Sequence, residues 1–92
     1  MTNNEVEQIF IDILETTPGV KKILRDDNLI TPFNVQEAEN STWNFSATIN
    51  ILTNTSAKDL VRNISSLLKY ALKEKDQKVG KIHLFIGGLS ND

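Results

Sequence analysis

The sequence contains no cysteine, and this absence excludes several kinds of chemistry at once. Disulfides, thiolate nucleophiles, zinc fingers and cysteine-ligated iron–sulfur clusters all require that side chain, and its lack fits a reducing compartment. The first residues show neither the basic nor the apolar region of a signal peptide, and no apolar run approaches the roughly 20 residues that span a bilayer. We therefore expect a cytoplasmic protein that does not insert directly into a membrane.

Histidine is nearly as scarce, since His83 is the single one. A general base needs a reacting partner and an orienting group, and the sequence places neither beside it. The acidic pairs Asp26 with Asp27 and Glu37 with Glu39 lie outside any loop that could supply the six or more oxygens calcium requires. No G-x-S-x-G motif surrounds a serine. The sequence therefore predicts no catalytic residue, no metal site and no cofactor, and a protein that is not an enzyme.

Glycine is also rare, and two of the four glycines, Gly87 and Gly88, are adjacent near the end of the sequence. A phosphate-binding loop works by aiming backbone amides from the N-terminus of a helix that follows it. Residues 89–92 are too few for such a helix. We interpret the glycine pair as the turn that ends a last strand.

The composition that is present favours one globular domain covering residues 1–92, with 39% hydrophobic and 24% charged residues. The net charge is only −2 but is unevenly spread. Acids dominate residues 1–55, whereas Lys and Arg dominate residues 56–81. This balance is far from that of a strongly basic nucleic-acid binder, although it leaves room for one basic face.

Hydrophobic periodicity predicts two helices. The stretch NNEVEQIFIDILETT has apolar residues at helical spacing, with Asn3 or Asn4 as the cap and Pro18 and Gly19 as the terminator. The following VKKILRDDN predicts one more apolar turn and then a loop. The stretch SAKDLVRNISSLLKYALKEKD predicts a long amphipathic helix, in which Ser56 and Asp59 resemble a capping box.

Alternating residues predict three strands. PFNVQEAE and WNFSATINIL are joined by the turn-like ENST and read as a hairpin. In the last strand, Ile82, Leu84 and Ile86 alternate with His83 and Phe85. The order α-β-β-α-β predicts an α+β fold, a two-layer sandwich with two helices on one face of a three-stranded sheet. The long helix would then be a crossover between two parallel strands.

Two surfaces are candidates for binding. The polar side of the sheet carries Ser46, Thr48, His83 and Phe85, and a large aromatic on a wet face often marks a contact site. The alternative is that Phe85 packs under a loop or under the C-terminal tail.

The second candidate is a basic face on the long helix, formed by Arg62, Lys69 and Lys73 at spacings of seven and four. Such a stripe could contact phosphates, or it could be an ordinary solvated helix face, since neither a GxxG clamp nor paired strand aromatics accompany it.

Three stretches together resemble one known family: TTPGV at the end of the first helix, FSATINIL leading into the long helix, and IHLFIGGL in the last strand. Over roughly residues 5–89 the chain resembles the alkaline shock protein family, the Gls-type general stress proteins of Gram-positive and related bacteria. The resemblance implies a non-enzymatic cytoplasmic bacterial protein linked to stress, which acts by self-association and by binding a membrane-anchored protein. The alternative hypothesis is a small RNA- or ribosome-associated α+β module that uses the basic helix.

Overall fold

Two helices and four strands make up the fold, and the computed structural model describes them over residues 1–26 and 28–91. The fold is α+β in two layers, as predicted, and its element order is α-β-β-β-α-β. Helix α1 ends just before Pro18, also as predicted. The elements are α1 Asn3–Thr16, β1 Val20–Leu24, β2 Asn34–Glu39, β3 Thr42–Leu52, α2 Ala57–Lys73 and β4 Lys78–Ser90.

Helix α1 is capped by Thr2, so the prediction of Asn3 or Asn4 as the cap is wrong. Thr2 Oγ1 accepts from the Glu5 backbone N–H at 3.2 Å, and Glu5 Oε1 accepts from the Thr2 backbone N–H at 2.9 Å. This reciprocal pair is a capping box and satisfies two orphan donors of the first turn. Asn3 instead reaches the sheet, because its Nδ2 donates to the Val35 carbonyl of β2 at 2.8 Å.

Residues 20–24 form a strand that the sequence interpretation missed, where one more helical turn was expected. The apolar residues Val20 and Ile23 are three positions apart, a spacing that suits one turn of helix. In the structure the register shifts between Val20 and Lys22, and this bulge lets both apolar side chains pack against the core from an extended chain. The sheet therefore has four strands and not three.

Strand β3 is the centre of the sheet. Strands β1 and β2 are both antiparallel to it and follow one another along one of its edges, at residues 48–51 and 42–46 of β3 respectively. Strand β4 runs parallel to β3 along its whole other edge, from the Thr42–Lys78 pair to the Leu52–Ser90 pair. The helix α2 is thus the predicted crossover between parallel strands.

The core lies between the sheet and the two helices. The alternation predicted for β3 is confirmed, since its alternate apolar side chains from Trp43 to Ile51 are all buried. The Phe10 ring of α1 lies 4.9 Å from the Phe45 ring of β3 in an edge-on contact. Burying one such side chain contributes about 1.5–3 kcal/mol. The buried apolar residues are Val6, Phe10, Leu14, Val35, Trp43, Phe45, Ala47, Ile49, Ile51, Leu60, Ile64, Leu68 and Leu72.

Strand β4 does not end at its two glycines, so the interpretation of a strand-end turn is wrong. The strand continues through Gly87 and Gly88 to Ser90, with a register shift between Ile86 and Gly88. A Cβ on Gly87 would lie 2.7 Å from Thr48 Cγ2, too close for real atoms. Glycine is required there because β4 passes directly beside the β3 side chain.

Candidate functional site

On one side of the sheet the described part of the chain places no helix, and we name this side the open face. It is built from the β3 residues that alternate with the buried ones and from their neighbours in register. Across it, Thr48 lies between Leu24 of β1 and Phe85 of β4, and Ser46 lies beside His83. The four residues predicted as a partner-binding group, Ser46, Thr48, His83 and Phe85, are therefore neighbours on one surface.

The loop between β1 and β2 covers the middle of the open face. Thr48 Oγ1 donates to the Thr31 carbonyl at 2.6 Å, and Ser46 Oγ donates to the Pro32 carbonyl at 2.9 Å. Thr48 is only 1% exposed as a result. The expectation that Thr48 faces water is wrong, because the loop satisfies its hydroxyl and shields it. Both hydroxyl side chains hold the loop in place, and their part in partner binding stays a prediction.

Phe85 and His83 occupy the β4 side of the open face. Phe85 is 49% exposed, and His83 is exposed as well. This exposure contradicts the alternative that Phe85 packs under a loop. Removing a half-exposed aromatic ring from water is favourable, so Phe85 is a suitable contact residue for a partner.

The outer edge of β4 is the most unusual feature of this region. Within residues 1–26 and 28–91, no strand pairs with that edge, and β3 is the single pairing partner of β4. The apolar side chains Ile82, Leu84 and Ile86 pack against the core, yet none of them is fully buried. The margin of the core is therefore open along β4, and a row of backbone donors and acceptors lies beside it.

The basic face of α2 has the predicted geometry. Arg62, Lys69 and Lys73 are all exposed, and at 3.6 residues per turn their spacings place them on one stripe of the helix. Two other residues of α2 with large hydrophobic side chains are exposed: Tyr70 is 67% exposed and Leu67 is 46% exposed. Leu67 therefore lies outside the core.

A shallow groove lies beside β1. Glu15, Arg25 and two lysines are the charged residues that line it. The Arg25 guanidinium stacks over the Phe33 ring, 4.6 Å from the ring centroid. This stacking ties Arg25 to the loop that covers the open face. The groove is lined by Glu15, Val20, Lys21, Lys22, Ile23 and Arg25.

The described residues bring together no group of three or more His, Asp or Glu side chains that could hold a metal ion. The pKa of Glu5 is lowered, first by the hydrogen bond from the Thr2 backbone and then by the one from the Thr2 side chain. This carboxylate belongs to the cap of α1. Over the same residues, no helix combines the length and apolarity that crossing a membrane requires.

Comparisons with known proteins identify a fold but no family. No protein-family model matches the chain, and no curated protein matches it. Among solved structures it is similar to a single-substitution variant of MamM-CTD, with a TM-score of 0.57, 12% identity, and coverage of 92% of this chain and 95% of that one. A double-substitution variant gives a TM-score of 0.55 at 11% identity, covering 97% and 93%.

A third similar structure is described as the nickel form of a MamM-CTD variant, with a TM-score of 0.54 and 12% identity, covering 92% of this chain and 96% of that one. At such identities the likeness shows the fold alone. The nickel belongs to that protein, and the described part of the present chain offers no comparable cluster of ligands.

Proposed function

We propose that this protein is a non-catalytic interaction module that acts by self-association or by binding a protein partner. The observation that carries the proposal is the unpaired outer edge of β4, with Phe85 and His83 exposed beside it. An open strand edge can add a strand from another chain, since main-chain hydrogen bonds supply affinity and flanking side chains supply specificity.

The arrangement of polar groups also supports a binding role. Ser46 and Thr48 are used to fix a loop, and the acid Glu5 is used to cap a helix. These groups are occupied by structural tasks. The aromatic ring of Phe85 and the imidazole of His83 are exposed on the open face next to the edge, and both suit contact with a protein surface.

The finer form of the proposal is a cytoplasmic, stress-associated adaptor of the alkaline shock type, with a membrane-anchored protein as one partner. This form rests on the sequence resemblance over roughly residues 5–89. Recovery of the tagged protein from its native cells tests it, because a membrane-anchored protein in the eluate would support the adaptor form. Recovery of ribosomal proteins in its place would contradict it.

The interaction role itself is tested by light scattering at high micromolar concentration. We expect the wild type to exceed its 10.3 kDa monomer mass. Phe85→Ser should shift the mass toward the monomer, because it removes the exposed aromatic contact. Tyr70→Ser is the matched control, since Tyr70 is also an exposed aromatic residue but lies on α2. A strictly monomeric wild type that also recovers no partner from native cells would contradict the proposal.

A second candidate function is RNA or ribosome association through α2. The alignment of Arg62, Lys69 and Lys73 on one exposed stripe favours it. It predicts binding that weakens steeply with salt, because each lysine–phosphate contact releases counterions. Filter binding with the wild type and with Lys69→Gln/Lys73→Gln measures this. No retention of RNA at low salt, or equal retention by the two proteins, would exclude this function.

A further inference from the structure

We infer that β4 pairs antiparallel with β4 of a second copy of this chain, about a two-fold axis that passes beside Leu84. The inference rests on the self-association form of the proposed function and specifies the partner and the register. It follows from the two bulges of β4, from its charge distribution and from the protection of the opposite edge of the sheet.

The bulges define which part of β4 can form a regular ladder. The register to β3 shifts between Val79 and Ile82 and again between Ile86 and Gly88. A bulge bends and twists a strand and interrupts its pairing. The uninterrupted stretch is therefore residues 82–86. A two-fold axis beside the middle residue, Leu84, gives the one register in which the whole stretch pairs with itself.

This register pairs apolar side chains with apolar side chains on the helix side of the sheet and pairs two rings on the open face. On the helix side, Ile82 lies opposite the partner's Ile86, and Leu84 lies opposite the partner's Leu84. These half-buried side chains then cover the open margins of both cores. On the open face, His83 lies opposite the partner's Phe85, and such cross-strand pairs stabilise a sheet.

The charges of β4 favour antiparallel pairing of two copies. Lys78 and Lys81 are at the beginning of the strand, and residues 82–90 contain no Lys, Arg, Asp or Glu. A parallel arrangement would place the lysines of two copies side by side, which is destabilising. The antiparallel arrangement places each basic end beside the uncharged end of the other strand. The symmetry of a dimer also favours antiparallel pairing, since two identical strand edges that join into one sheet are related by a two-fold axis.

The opposite edge of the sheet is formed by β1 and β2 and is protected on both, so the assembly stops at two copies. On β1, Lys21 and Lys22 are exposed charged residues of the edge. On β2, Asn3 occupies the Val35 carbonyl, and Glu37 and Glu39 are exposed acids. Charged side chains and capped backbone groups are the usual means of preventing strand addition. An edge of this kind does not accept β4 from another copy, and a closed dimer is expected in preference to a filament.

The absence of cysteine allows a direct test in the full chain. His83→Cys and Phe85→Cys are prepared separately, and one carries a mass tag. In the inferred register the two new side chains face each other across an antiparallel pair, at a Cα separation of about 4.5–5.5 Å, within the reach of a disulfide. Each variant alone places its cysteines on a diagonal of about 7–8 Å, which is beyond that reach.

We expect the mixture to form disulfide-linked heterodimers at least about fivefold faster than either variant forms homodimers, because only the mixed pair has disulfide geometry. Tyr70→Cys, on exposed α2, gives the rate of random collision. Leu84→Cys is a second variant that should cross-link with itself, since Leu84 lies beside the axis, and it keeps the test valid if loss of Phe85 weakens association.

Two results would overturn the inference. A mixture that cross-links no faster than the Tyr70→Cys control would show that β4 is not the contact. Equal rates of heterodimer and homodimer formation would show a different register. If the wild type nevertheless exceeds monomer mass in light scattering, or recovers a protein partner from native cells, the proposed interaction role stands while this register fails. Monomers that recover a foreign strand-donating partner would likewise overturn the second-copy assignment alone.

Discussion

The two edges of the sheet differ in whether a strand of another chain can pair with them. The β2 edge is short, carries Glu37 and Glu39, and has its Val35 carbonyl occupied by the side chain of Asn3. The β4 edge runs from Lys78 to Ser90, and no strand within the described residues pairs with its outer side. Proteins generally protect their sheet edges against strand addition, so an unprotected edge indicates a surface that binds another chain.

The difference shows that one small fold can prevent association on one side and allow it on the other. The protection of β2 comes from the first turn of α1, which brings Asn3 to the strand while Thr2 and Glu5 cap the helix. Within residues 1–26 and 28–91, no element does the same for β4, because α2 packs on the face of the strand and leaves its outer edge uncovered.

The largest effect is expected from Gly87→Ala, which alters how β4 docks on β3. The new Cβ would lie 2.7 Å from Thr48 Cγ2 and 3.0 Å from Leu24 Cδ1. Overpacking of this kind typically costs about 1–3 kcal/mol, which urea unfolding measures. Gly88→Ala is the control, since the nearest atoms to its Cβ would be those at the end of the Asn50 side chain, at 3.0 Å or more. Equal losses in the two variants would contradict the packing described for Gly87.

The next effect is expected from Phe85→Lys, which places a charged side chain on β4, where β2 already has the charged side chains of Glu37 and Glu39. A lysine near the middle of an edge strand repels its counterpart and hinders strand addition. We expect the dissociation constant to rise at least about tenfold, equivalent to about 1.4 kcal/mol, by analytical ultracentrifugation. Tyr70→Lys adds the same charge on α2 and should leave association unchanged. A similar loss in both variants would indicate a general charge effect.

A smaller effect is expected from Asn3→Ala, which removes protection from β2. The variant loses one hydrogen bond to the Val35 carbonyl, and a bond of this kind contributes about 0.5–1.5 kcal/mol. The free energy of unfolding should fall by that amount, and association beyond the dimer should increase as the β2 edge becomes available. Asn4→Ala, one residue along the same helical turn, is the control. No difference between the two variants would contradict the role of Asn3.

The smallest effect is expected from a change of pH, which acts on the Glu5 carboxylate in the cap of α1. Hydrogen bonds from the Thr2 backbone and then from the Thr2 side chain lower the pKa of Glu5 below its ordinary value. A carboxyl whose pKa is lowered in the folded state stabilises the protein above the unfolded pKa, and this contribution is lost as the pH falls through the folded pKa. In Glu5→Gln, the decline of stability below about pH 4.5 should be shallower than in the wild type. Identical pH profiles in thermal unfolding would contradict this role.

Much of the fold could be predicted from local pattern, but the β1 strand and the role of the glycines could not. Period-two alternation identified β3, and helical spacing identified α2. The spacing of Val20 and Ile23 fits a helical turn as well as a bulged strand, and only pairing with β3 decides between them. The need for Gly87 comes from Thr48 and Leu24, which are distant in sequence.

The candidate site was only partly predictable for the same reason. Alternation placed His83 and Phe85 on the side of β4 away from the core, and the structure confirms their exposure. The same alternation placed Thr48 in water, whereas the loop carbonyl of Thr31 covers it. The unpaired edge of β4 depends on the order of strands in space, which the sequence does not specify.

The most direct test of the account is hydrogen exchange of the wild type at low and at high micromolar concentration. If β4 pairs with β4 of a second copy, those backbone amides of residues 82–86 that point away from β3 exchange more slowly at the higher concentration, because a second β4 then bonds to them. The amides of β2 should exchange at the same rate at both concentrations, because that edge is protected. Exchange in β4 that does not depend on concentration, or equal slowing in β2 and β4, would contradict the claim that β4 is the contact edge.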